Sequence, residues 1–92
     1  MRLLIDTHIA IWSIADSARL PPHIREMIAA PENAVFVSTV SLFEIAIKSR
    51  LRRRSAPPFS AKFAHDAFVV AGYLFMAVTA EHTLAVESLQ LD

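Results

Sequence analysis

The stretch "LLIDTHIA", residues 3–10, decides how the fold is read. Leu3, Leu4 and Ile5 form a short apolar run with strand character, and Asp6 closes it with a carboxylate. Helix-compatible sequence follows at once. From Thr7 to about Ala15, residues Ile9, Trp12 and Ala15 are spaced for one helical face. A buried strand over Arg2–Ile5 that passes directly into a helix opens a β-α unit, and Asp6 stands at the join. Aspartate has an ordinary duty there, because it is among the best helix N-caps. It also has the right place for chemistry, since functional groups in parallel α/β sheets gather beyond the carboxyl ends of the strands.

Working outward, Pro21 and Pro22 sit where the first turn of a helix accepts proline. His23–Ala30 continues that helix, with Ile24 and Ile28 on one side, until Pro31 stops it. "AVFVS", residues 34–38, is β-branched and aromatic and follows a turn-like Glu32–Asn33, so it is the clearest strand. "SLFEIAIKSRL", residues 41–51, is a helix with Leu42, Ile45 and Ala46 on its apolar side. A loop with Pro57 and Pro58 leads to a helix near Ser60–Ala71, whose stripe is Phe63, Ala67, Phe68 and Ala71. Gly72, the only glycine, fits its C-terminal cap. "LFMAV", residues 74–78, is a third strand, and Thr79 caps a last helix to about Leu89. The order β-α-α-β-α-α-β-α predicts an α/β fold: a parallel sheet with helices on both faces, in three layers.

Ninety-two residues make one small domain, which buries roughly 60–65% of its unfolded surface. The chain is nonetheless 54% hydrophobic with a mean hydropathy of +0.42, against about 45–50% apolar residues in an average domain. A small domain should be less apolar than average, so some apolar faces are expected to meet a partner. Nine basic and nine acidic residues cancel, and global charge points to no particular ligand. The absence of cysteine removes disulfides and thiolate metal sites. Asp6 interrupts the first apolar run too early for a signal peptide, and no run approaches the ~20 apolar residues of a membrane span. The expectation is a cytoplasmic protein with no membrane role.

Glu44 is the second carboxylate of interest. Ser41-x-x-Glu44 matches a capping box, which gives it a structural explanation as well. Both acids follow apolar strands whose carboxyl ends point the same way in a parallel sheet. Two carboxylates brought close there repel unless a cation lies between them or one takes a proton. Oxygen ligands suit Mg²⁺ or Mn²⁺, which are held by one or two carboxylates together with waters and substrate phosphate. Capping and metal binding are compatible, since a capping carboxylate still presents an oxygen outward.

At these residues the chain resembles the PIN-domain toxins of the VapC type. "LLIDTHIAIW" is followed by "VFVSTVSLFEIAIK" and then by "MAVTAEHTLAVESLQL", in the order and spacing of that family. The central motif is S-x-x-S-x-x-E-I-A-I-K, here Ser38 to Lys48, and Thr79 to Val86 supplies a third match. The resemblance implies a PIN-like three-layer fold and a metal-dependent endoribonuclease, the toxin of a toxin–antitoxin pair. Asp6 and Glu44 fall on two of the family's acidic catalytic and metal positions, and Thr7 on the hydroxyl that accompanies the first of them. The implied cofactor is Mg²⁺ or Mn²⁺. The implied partners are an RNA substrate, a cognate antitoxin protein and a second copy of the chain.

The family pattern continues with an acidic segment of the type D-P-F-D-R on a helix, then a further strand and another acid. "LQLD", residues 89–92, aligns just before that segment, so Asp92 is not counted as a ligand. The expectation is an incomplete PIN-like domain over residues 1–92, lacking its C-terminal strands and helices or borrowing them from another chain. With two acids in place of three or four, activity is expected to be impaired. The first strand, central in the family's sheet, is expected to present an open edge.

"KSRLRRR", residues 48–54, carries five positive charges in seven residues. Cations complement the dipole at a helix end, and they also suit an RNA backbone. Lys48, Arg50, Arg52, Arg53 and Arg54 are therefore candidate RNA contacts. His8, His65 and His82 do not form a ligand spacing. Two other readings compete. A strand followed by D-x-D marks haloacid-dehalogenase-like phosphatases with an aspartate nucleophile, but position 8 here is histidine. A catalytically dead PIN remnant that binds an antitoxin or dimerises is the non-enzymatic alternative.

Overall fold

A computed structural model describes residues 1–51, 57 and 59–78. The elements are β1 (Arg2–Ile5), α1 (Thr7–Ile14), α2 (Pro22–Ala29), β2 (Ala34–Ser38), α3 (Thr39–Arg50), α4 (Ala61–Val70) and β3 (Leu74–Met76). This is the element order expected as far as the third strand, which is two residues shorter than "LFMAV". The last helix expected, from Thr79 to about Leu89, lies outside the described residues. Among the described residues no helix is long and apolar enough to cross a membrane.

The three strands are parallel in the order β1-β2-β3. Leu3 pairs with Val35, Ile5 with Val37, and Val37 with Phe75, so alternation along each strand puts these five side chains on one face. On that face Ile5, Val35 and Val37 meet Ala10 of α1, Ile45 of α3, and Ala64 and Phe68 of α4, all buried. Ile28 of α2 packs at the margin of the same cluster. The opposite face carries Leu4, Phe36 and Leu74 in one row, with Leu4 60% exposed and Leu74 50% exposed. Among the described residues, then, helices pack on one side of the sheet, not on both. Strand order gives the reason: right-handed crossovers that step in the same direction deliver their helices to the same side. β1 is paired only with β2 among the described residues, leaving the open edge that was expected. Ile24, Met27 and Ile28 of α2 line a groove of about 410 Å³ beside that edge.

Helix ends follow local chemistry. The Asp6 Oδ1 accepts from the Ile9 amide at 2.8 Å, capping α1 as its residue type predicts. α3 begins two residues before the expected Ser41. Ser38 is its N-cap, with Oγ accepting from the Val40 amide at 3.1 Å. The Ser41-x-x-Glu44 capping box is therefore not formed, because β2 runs straight into α3 without a loop and both residues lie inside the helix. Gly72 ends α4 at φ +83°, a conformation that glycine adopts without strain. The Tyr73 amide there returns to the Phe68 carbonyl at 2.9 Å.

Three helical faces differ from the spacing-based expectation. Ala10, not Ile9, Trp12 or Ala15, is the fully buried residue of α1. On α3, Ile45 is buried and Leu42 packs on the core, but Ala46 faces out and Ser41 faces in. On α4 the buried pair is Ala64 and Phe68, while Phe63 is 56% exposed and Ala71 is exposed. α1 is apolar nearly all round, and α4 has apolar residues on both flanks of its Lys62, His65 and Asp66 side, so period alone does not choose which residues turn inward.

Candidate functional site

The carboxyl ends of β1 and β2 lie side by side because the strands are parallel and in register. Asp6 leaves the first and Ser38 the second. The amino ends of α1 and α3 therefore open on the same edge of the sheet. Asp6 is exposed, and its capping duty occupies only Oδ1. Its second oxygen carries no hydrogen bond from any described residue.

Thr7 joins the two crossovers. Its Oγ1 lies 2.8 Å from Ser41 Oγ, across thirty-four residues of chain. Ser41 is only 4% exposed, the one buried polar residue among those described. One helical turn further along α3, on the same side, stands Glu44. Its Oε1 is 3.0 Å from Lys48 Nζ, a pair spaced i,i+4 with both side chains about a third exposed. The Glu44 carboxyl is held below the ordinary carboxylate value, chiefly by its hydrogen bond from Lys48 and next by one from the Thr7 hydroxyl. Partial burial opposes these effects, and the Lys48 and His8 charges add to them. Thr7 has one hydroxyl proton. Its contact with Ser41 Oγ at 2.8 Å can form with either hydroxyl as the donor.

Thr7 follows Asp6 directly in the chain, and its hydroxyl meets Ser41, one turn before Glu44 on α3, so this contact links the two elements that carry the acids. Ser41 is the member that the sequence reading missed. A serine one turn before Glu44, on the side of α3 that carries Ile45, was the available signal, but it was assigned to a cap. Lys48 is placed on Glu44 instead of standing free for a nucleic acid, while Arg50 is exposed in the last turn of α3. Arg52, Arg53 and Arg54 lie outside the described residues.

The donors at this edge are all oxygens, two carboxylates and a hydroxyl, as Mg²⁺ and Mn²⁺ require. Among the described residues no third histidine or acid joins them in a cluster able to hold a metal ion. Most coordination positions on such an ion would fall to water and phosphate. The histidines are used elsewhere. His8 lies 6.0 Å from the Trp12 ring, and His65 contacts Asp66 at 2.9 Å while stacking on Phe75.

No protein-family model, curated protein or solved structure matches the chain.

Proposed function

We propose that the chain is a PIN-type, metal-dependent endoribonuclease of the VapC toxin class, with Asp6 and Glu44 as its acidic pair and Thr7 as the supporting hydroxyl. The observation that supports this reading is the contact of Thr7 with the buried Ser41, which ties the amino end of α1, capped by Asp6, to the first turns of α3, which carries Glu44, at the carboxyl edge of a parallel sheet. The proposed fold is the PIN-like three-layer arrangement, of which the described residues form the sheet and one helical layer. A bound Mg²⁺ or Mn²⁺ supplies a water of lowered pKa and neutralises charge on the scissile phosphate. Asp6 and Glu44 would be the acids that hold it. Thr7 fixes the direction of the Glu44 carboxylate, and Arg50 offers a cation to the RNA backbone beyond the helix end. With two acids among the described residues to place the ion, slow cleavage is expected. The test is cleavage of labelled RNA with Mn²⁺, with and without EDTA, by the wild type, Asp6→Asn and Glu44→Gln. Metal-dependent cutting that both substitutions abolish supports the reading. Cutting that survives both, or survives EDTA, overturns it.

A binding module is the second reading, and a separate observation favours it. Val40, Phe43, Ile47 and Leu51 are all exposed at helical spacing on α3, with Phe43 at 65%. In this reading the chain is a catalytically dead remnant that pairs with itself or with an antitoxin through apolar surface. Sedimentation velocity of the wild type against Phe43→Lys separates the readings. Association that the substitution removes, in a chain that binds no Mn²⁺, favours the module.

A further inference from the structure

Lys48 sits where a catalytic edge has least use for it. Its ammonium lies 3.0 Å from Glu44 Oε1, the carboxylate assigned above to the metal, and both side chains are about a third exposed. A lysine one turn along the same helix reaches this oxygen by simple i,i+4 geometry and needs no other element to place it. Among the described residues it is the only cation paired with either acid of the site. A carboxylate oxygen that holds an ammonium at hydrogen-bond distance cannot at the same time ligate a divalent ion at full strength. The two cations compete for one group.

We propose that Lys48 is the internal counter-cation of the site: it neutralises Glu44 in the metal-free protein and is displaced when a divalent cation binds. This rests on the metal-site reading of Asp6 and Glu44. The arrangement has a physical rationale. The ammonium neutralises the partly exposed Glu44 carboxylate when no divalent ion is there, and its flexible four-carbon stem lets it withdraw without moving the helix. Lys48 is then a positioning residue for Glu44 and weakens metal affinity instead of contributing a ligand.

The test is Mn²⁺ binding to the full chain, read by the electron paramagnetic resonance of free Mn²⁺, for the wild type, Lys48→Met, Lys48→Arg, Asp6→Asn and Glu44→Gln. Far-UV circular dichroism checks that each variant keeps its helices. Lys48→Met keeps the stem and loses the charge, so affinity rises about two- to fivefold, as loss of a partly exposed ion pair predicts. Lys48→Arg keeps a competing cation and stays near the wild type. In protein labelled with ¹⁵N-lysine, diamagnetic Mg²⁺ shifts the Lys48 ammonium resonance, and Glu44→Gln removes that shift. If Lys48→Met binds Mn²⁺ no more tightly than the wild type while Asp6→Asn and Glu44→Gln lose binding, the counter-cation role is wrong and the metal site stands. If neither wild type nor Lys48→Met binds, or if Asp6→Asn and Glu44→Gln bind unchanged, the metal site falls and the counter-cation role with it.

Discussion

Thr7 Oγ1 and Ser41 Oγ lie 2.8 Å apart, and this one contact ties the start of α1 to the first turns of α3. The Thr7 hydroxyl also helps to lower the Glu44 pKa, so its removal should be felt twice. A double-mutant cycle with Thr7→Val and Ser41→Ala should give a coupling of about 0.5–1.5 kcal/mol in urea unfolding. Thr7→Val should also raise the Glu44 pKa, since it deletes a hydrogen bond to the ionised form, and NMR titration of the Glu44 side chain reads this. A Glu44 pKa that Thr7→Val leaves unmoved would mean that the hydroxyl serves Ser41 alone.

Asp6 has two duties that different substitutions separate. Asp6→Ala removes the cap on the Ile9 amide and should cost about 1 kcal/mol in chemical unfolding. Asn caps nearly as well, so Asp6→Asn should stay within a few tenths of a kcal/mol of the wild type. Both should lose Mn²⁺ binding. If Asp6→Asn binds Mn²⁺ as tightly as the wild type, Asp6 is a cap and nothing more.

Glu44 makes stability depend on pH in a definite direction. Its carboxyl is held below the usual 4.5, first by Lys48 and then by Thr7. A depressed carboxylate contributes stability above its unfolded pKa and loses it as pH falls through the folded value. The difference in unfolding midpoint between wild type and Glu44→Gln should therefore be constant at neutral pH and shrink below 4.5. The effect is that of a screened pair, because Glu44 is 37% exposed. Lys48→Met should flatten most of the dependence. A difference that grows on acidification would contradict the pairing.

Phe68 is the largest fully buried side chain and stacks against Tyr73 while meeting Phe75 edge-on. Phe68→Ala should cost about 3–5 kcal/mol. That is a large part of the ~5–15 kcal/mol that holds a domain folded. Phe68→Leu keeps most of the volume and should cost less. Urea titrations followed by circular dichroism compare the two, and equal small losses would place Phe68 outside the core.

Local sequence determined much of this protein. The strand-to-helix join at Asp6 is an aliphatic run followed by a capping side chain. The stop at Gly72 needs a positive φ. Such features depend on neighbours within a few residues, and they made the element order legible as far as β3. Asp6 and Glu44 stand out in the sequence because parallel strands carry their carboxyl ends to one edge, and Thr7 through the family resemblance alone.

Tertiary structure decided the rest. Ser41 could cap a helix or enter one, and only the direct passage of β2 into α3 put it inside, facing Thr7. Lys48 could face a nucleic acid or Glu44, and the turn of α3 gave it to Glu44. α4 has apolar residues on both flanks of its polar side, and only contact with Val37 and Ile45 in one core selected Ala64 and Phe68 over Phe63 and Ala71. Among the described residues helices cover one face of the sheet, and strand order chose which. The outcomes for Ser41, α4 and the sheet rest on contacts between residues far apart in the chain, whose energies short-range periodicity does not contain, whereas Lys48 meets Glu44 within one turn of α3.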